Sequence, residues 1–191
     1  FNLGEYCMAV INSNKKRNSS DSEYNARRRE CDNAFKKLKE KKPNLKSLCD
    51  LKPKDAEFIK SNLQNKEMRR ALYVSAEQDR VNQAVKAIKK GSVKDLGNLI
   101  LKTHDGLSKL YEVSTAELDI LVEEAINMDG VMGVCMIGTG FGGGVLMFLK
   151  KTEVENVIEN LYSKYKEKTR RDADVYIVKP SNGARIFPIE E

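Results

Sequence analysis

Seven residues, Gly138-Thr139-Gly140-Phe141-Gly142-Gly143-Gly144, separate two short apolar runs, Met132 to Ile137 and Val145 to Leu149. Runs this short that are bounded by glycine read as buried strands rather than helices. The pair therefore predicts two strands joined by a glycine-rich turn. The letters satisfy G-x-G-x-x-G, but that dinucleotide fingerprint requires a helix after the glycines, and here a strand follows. A P-loop is excluded because no Gly-Lys-Ser/Thr ends the run. What survives is a turn in which missing side chains allow positive φ and close backbone approach. A tight turn needing only backbone freedom satisfies that pattern; five glycines exceed what a hairpin needs, yet none of them names a ligand.

The rest of the chain is built around these strands. Tyr6 to Ile11 is a short apolar run ended by the turn signal Asn12-Ser13-Asn14, which predicts a strand. It has no sequence-local partner, because the next strand lies more than a hundred residues later. Cys31, Ala34, Phe35 and Leu38 recur at helical spacing within Tyr24 to Lys41, and Ala56, Ile59 and Leu63 suggest a short helix beyond Pro43 and Pro53. Met68, Ala71, Leu72, Val81, Val85 and Ile88 give Glu67 to Lys90 one apolar face, ended by Gly91, and Ser92 with Asp95 opens a further helix towards His104. Ser114 with Glu117 and Thr152 with Glu155 read as capping boxes for two more helices. Val175 to Val178 and Arg185 to Phe187 complete the pattern as strands around Pro180-Ser181-Asn182-Gly183. The order predicts an α+β fold, an antiparallel sheet with helices packed on one face.

Composition narrows the function classes. Lys+Arg number 34 against 28 Asp+Glu, a net charge of +6, which invites polyphosphate partners. The basic clusters Arg27 to Arg29, Lys36 to Lys42 and Arg69-Arg70 are interleaved with Glu30, Asp32, Glu40 and Glu67, however, as on solvated helix faces, so no nucleic-acid partner is expected. The stretch Val131 to Leu149 is broken by six glycines, so no membrane span is expected. The opening Phe1-Asn2-Leu3-Gly4-Glu5 lacks the features of a signal peptide, and a cytoplasmic chain is expected. Cys7, Cys31, Cys49 and Cys135 show no paired metal-ligand spacing and read as reduced apolar fillers. His104 is the only histidine, so no site needing two imidazoles can form.

Collinear with the glycine run stand Asn12-Ser13-Asn14, Ser22-Glu23-Tyr24, Arg27-Arg28-Arg29-Glu30-Cys31, Thr103-His104-Asp105-Gly106-Leu107, Tyr111-Glu112-Val113-Ser114, Glu117-Leu118-Asp119 and Pro180-Ser181-Asn182-Gly183-Ala184. In this order they resemble the galactokinase family of the GHMP small-molecule kinases, from about Cys7 to Phe187. The resemblance implies transfer of the ATP γ-phosphoryl group to the anomeric hydroxyl of galactose, with Mg²⁺ as counter-charge. It implies that Tyr24 contacts the sugar and that Gly138, Gly140, Gly142 and Gly143 belong to a loop beside sugar and phosphates. Lys16, with Arg17 beside it, stands where the family often has an arginine near the phosphates. Thr139 replaces a usual glycine and Gly144 a usual cysteine, so Thr139 is expected at a negative or slightly strained φ. His104 is expected to be a buried structural histidine, and Tyr111, Glu112, Leu118 and Asp119 to serve packing and capping.

The family's sugar-binding cluster, nucleotide loop and catalytic aspartate all precede the region matched by Asn12. The resemblance is thus to the C-terminal half: residues 1–20 as the last strand of an incomplete N-terminal domain, and 21–191 as the C-terminal domain. The expected partners are galactose, MgATP and the missing N-terminal half, in the same or a companion chain. A non-catalytic galactose and ATP sensor and an N-acetylgalactosamine kinase are the other readings that the resemblance leaves; the Ser22-Glu23-Tyr24 triplet leans towards galactose.

Overall fold

The computed structural model describes residues 3–16, 21–181 and 183–184. Four strands, β1 (Tyr6–Asn12), β2 (Val131–Ile137), β3 (Gly144–Lys150) and β4 (Asp174–Val178), form one antiparallel sheet in the order β2-β3-β1-β4. Between β1 and β2 run helices α1 (Asp21–Lys41), α2 (Ala56–Asn62), α3 (Asn65–Lys89), α4 (Val93–Gly106) and α5 (Ala116–Ile126), and α6 (Val154–Thr169) joins β3 to β4. Reduced to strands and sheet-covering helices, this is the split β-α-β-β-α-β arrangement, with a large helical insertion in its first crossover.

The strand that lacked a local partner has two distant ones. Ala9 of β1 lies opposite Met147 of β3 on one side and opposite Ile177 of β4 on the other. The segment expected as a remnant of an N-terminal domain thus contributes β1 to the sheet that the later strands form. Residues 6–12 are an inner strand of the same sheet as the rest, because period-two burial fixes their register: Ala9 and Ile11 are fully inside. They share that face with Val134, Met136, Val145 and Met147, beneath Leu118, Leu121 and Ala125 of α5 and Val157, Leu161 and Tyr165 of α6. A fully buried leucine of this kind contributes about 1.5–3 kcal/mol.

α4 packs against the outer edge strand. A Cβ on Gly97 would stand 2.0 Å from the Met132 carbonyl oxygen, so only glycine lets helix and strand meet there. About two turns further along, His104 Nδ1 accepts the Met136 N–H at 3.3 Å, occupying an outward-facing amide of β2. His104 is buried and structural, as expected.

Three sequence expectations fail in instructive ways. Helix α5 is capped by Thr115, whose hydroxyl accepts the Leu118 N–H, and not by Ser114. A 3₁₀ turn at Lys151–Glu153 precedes α6, so the Thr152 box does not form. The apolar face of α3 is split. Ala71 and its neighbours join Ala34, Leu38 and Ile59 in a second core, whereas Val81, Val85 and Ile88 are 40–49% exposed. In its second half α3 instead turns Ala84 and Ala87 towards Val93, Leu96 and Leu99 of α4, which leaves the stripe of Val81, Val85 and Ile88 outside. The strand expected at Arg185 to Phe187 lies outside the described residues. No helix among the described residues is long and apolar enough to cross a membrane.

Candidate active site

The glycine-rich run between β2 and β3 takes a path open almost only to glycine. φ is +81° at Gly138, +83° at Gly140, +127° at Gly142 and +90° at Gly143. Thr139 is absent from the positive-φ residues, as expected; Phe141, at +58°, is among them instead. The loop is docked at two points. The Phe141 N–H donates to the Val113 carbonyl at 2.8 Å, and a Cβ on Gly140 would sit 2.2 Å from that same oxygen. At the other end the Gly143 carbonyl accepts the Ser13 N–H at 2.9 Å and also the Ser13 hydroxyl. The N–H groups of Thr139 and Gly142 make no backbone hydrogen bond among the described residues; Thr139 is exposed, whereas Gly142 is buried.

Opposite the loop stands the first turn of α1. Tyr24 and Arg27 from α1, Leu107, Tyr111 and Val113 from the segment after α4, and Gly138, Thr139 and Phe141 from the loop line one cleft of about 150 Å³. The Tyr24 side chain is half-exposed, so its phenol is free to meet a polar ligand. The structure thus brings together Tyr24 and Gly138 of the expected substrate-binding set, with Gly140 and Gly142 buried in the loop behind. A larger hollow of about 690 Å³ lies between α1 and the α2–α3 turn. It is an open surface crossed by the Lys37–Glu67 pair at 2.6 Å and holds none of the sequence-expected site residues.

The segment after α4 is held by arginines that the sequence placed on solvated faces. Leu107–Tyr111 forms a π-helical turn that ends at Glu112, in the left-handed conformation. The carbonyls at such an end lack helical partners and carry negative partial charge. Arg27 supplies donors to the Tyr111 and Glu112 carbonyls, each at 2.8 Å. Arg70, fully buried, donates to the Leu110 carbonyl, to Glu30 at 2.7 Å and to the Glu112 carboxylate at 2.6 Å. Arg69 reaches the same carboxylate at 2.9 Å. The hydrogen bond from Arg70 holds the Glu112 carboxyl below its ordinary range against a smaller opposing effect of burial. Burial drives the Tyr111 phenol upward, so it stays protonated.

The expected phosphate-side pair is less well placed. Lys16 is exposed in the loop that follows β1, and Arg17 lies outside the described residues. Its neighbour Lys15 pairs instead with Glu117 at 2.9 Å. Burial, the largest single effect, acts to raise the Glu117 carboxyl, but the Lys15 hydrogen bond and charge, its own backbone amide and the Thr115 hydroxyl together bring it below its ordinary value. Asp119, 3.2 Å from His104 Nε2, behaves likewise: burial raises it, and contacts with His104 and Ser114 bring it below its ordinary value. Sequence reasoning missed Arg70 and Phe141. A charge at a helical position that the periodicity leaves outside gives no sign of burial.

Residues 84–167 match the family described as GHMP kinases C terminal. Galactokinase of Clostridium perfringens is 37% identical over 184 residues, covering 96% of this chain and 47% of that protein. Galactokinase of Fusobacterium nucleatum is 38% identical over 178 residues, covering 93% and 46%. Lactococcus lactis galactokinase complexed with galactose superposes with a TM-score of 0.88 at 29% identity, over 92% of this chain and 45% of that one, its C-terminal half. Residues 84–167 thus match a GHMP kinase C-terminal domain, and the chain around them is similar to galactokinases. It spans about half the length of the curated relatives it matches. L. major mevalonate kinase in complex with R-mevalonate, at a TM-score of 0.58 and 20% identity, shares the fold. The cleft between Tyr24 and the glycine loop thus belongs to a domain whose relatives include sugar kinases.

Proposed function

We propose that the complete protein is a galactokinase and that this chain supplies one wall of its active site. The observation that carries the reading is the meeting of Tyr24 and the glycine-rich loop in one cleft, in a chain that superposes on a galactokinase holding galactose. Bound ATP would supply the phosphoryl group. Tyr24 would hydrogen-bond a sugar hydroxyl across the cleft mouth. The loop, docked on Val113 and Ser13, would hold the Thr139 amide at a fixed position beside the transferring charge, where a preorganised donor acts without reorganising. Leu107, Tyr111, Val113 and Phe141 would exclude water from that side of the sugar.

The donors on this chain that suit part of a triphosphate are the Thr139 amide and the exposed ammonium of Lys16. Among the described residues no group of three or more His, Cys, Asp or Glu could hold an ion, but Mg²⁺ beside a triphosphate needs only one or two carboxylates with the phosphates and water. In keeping with the resemblance, the base that activates the sugar is assigned to the half of the protein outside this chain. All four cysteines are unpaired thiols, which supports a reducing, cytoplasmic setting.

Replacement of Tyr24 by Phe in the complete protein tests the sugar site. Loss of one neutral hydrogen bond of about 0.5–1.5 kcal/mol should raise the galactose KM roughly 2–10-fold and leave the ATP KM unchanged. An unaltered galactose KM would remove Tyr24 from the site. N-acetylgalactosamine preferred over galactose would shift the specificity to that sugar.

A further inference from the structure

Arg27 reaches both segments that face α1 across the cleft. Its guanidinium donates from Nε to the Tyr111 carbonyl and from Nη2 to the Glu112 carbonyl, the residues immediately before Val113. Its Cζ lies 5.8 Å from the centroid of the Phe141 ring, within cation–π range. Phe141 in turn bonds Val113 and has the positive φ that gives the loop its bend. The cation itself is fixed. Only 15% of its side chain is exposed, and Glu30, 3.5 Å from Nη1, is tied to buried Arg70. Two acceptors one residue apart suit the rigid fork of arginine; an ammonium on the same helix would serve one of them at a time.

Tyr24 sits three residues before Arg27, one helical turn away on the same face. A side chain that binds the other two walls from this turn therefore fixes how far Tyr24 stands from the loop. We propose that Arg27 is a positioning residue that sets the spacing between Tyr24 and the glycine-rich loop, and through it the geometry of phosphoryl transfer rather than the affinity for sugar. The inference rests on the kinase reading of the cleft. Its consequence is kinetic, since a misplacement of about 1 Å can cost on the order of 10²-fold in rate.

The test uses the complete protein as wild type, Arg27→Met, Arg27→Lys, Phe141→Leu and the Arg27→Met/Phe141→Leu double variant. We expect Arg27→Met to lower kcat at least tenfold with the galactose KM within twofold, and Arg27→Lys to recover part of the loss. The double variant should be no more than twofold worse than Arg27→Met alone, because both changes release the same loop. Without substrate, amide exchange at Phe141 should quicken about tenfold in Arg27→Met, while the β2 and β3 amides stay as in the wild type. A purely structural arginine would lower the melting temperature yet leave kcat, KM and loop exchange unchanged, and that result overturns the proposal. If the wild type turns over no sugar, the kinase reading fails separately, and the exchange experiment still decides whether Arg27 holds the loop. Should Arg27→Met not fold, Arg27→Lys is read by the same two measurements, and wild-type values for both would overturn the proposal.

Discussion

Replacing Gly140 by Ala should be among the most damaging single changes in the loop, and the structure says by how much. Two costs add at this position. The residue has a φ of +83°, where an L side chain costs about 1–2 kcal/mol. Its Cβ would also lie 2.2 Å from the Val113 carbonyl oxygen and 2.9 Å from the Val113 Cβ. These atoms must move, an overpacking cost of about 1–3 kcal/mol. Together they give about 2–5 kcal/mol, which for a domain of this size lowers the melting temperature by roughly 5–20 °C. Gly91 is the control. It has a φ of +68° with nothing within 4 Å of the added carbon, so Gly91→Ala should show the conformational part alone, about 1–2 kcal/mol. Thermal unfolding of wild type and both variants under one condition measures the difference. Equal losses from Gly91→Ala and Gly140→Ala would mean that the loop does not lie on Val113, and the docking described above would be wrong.

Further outcomes follow from the same contacts. Gly97→Ala, with a Cβ 2.0 Å from the Met132 carbonyl, should lose about 1–3 kcal/mol in urea unfolding; no loss would argue against α4 on the β2 edge. Arg70→Met leaves Glu30, the Glu112 carboxylate and the Leu110 carbonyl without a buried donor, and should cost about 3–5 kcal/mol in the same assay. The Glu112 carboxyl is lowered in the folded protein. Its contribution is therefore fully present above the unfolded-state value and lost as pH falls through the folded one. Urea midpoints of wild type and Glu112→Gln should accordingly differ at neutral pH and converge in acid; a constant gap would deny the ion pair. Thr115→Ala should remove about 1 kcal/mol of helix capping, and a loss from Ser114→Ala of the same origin would return the cap to the residue that the sequence favoured.

Much of the fold was legible because its signals are local. The two strands around the glycine run, the α+β class and the burial of His104 follow from apolar periodicity and turn chemistry. Tyr24 and the loop entered through a resemblance, and the cleft brings them together. The features missed are tertiary. The partners of β1 lie more than a hundred residues away, so its alternation announced a strand but not an inner one. Arg70 looked like one more cation on a helix face, since nothing in its neighbourhood shows that three carbonyl and carboxylate groups converge on it from other elements. The stripe Val81, Val85 and Ile88 has the periodicity of a core face and is open, because periodicity reports a face and not whether anything covers it. The capping residue of α5 moved by one position, since Ser114 and Thr115 offer the same hydroxyl and the approach of the chain from Val113 decides between them.

Galactose-dependent ADP release by the complete protein with ATP and Mg²⁺ decides whether this cleft serves sugar phosphorylation. Release should require galactose and be absent from a control without sugar. Binding of galactose without turnover would make the protein a sensor built on the kinase fold and would contradict the enzymatic reading.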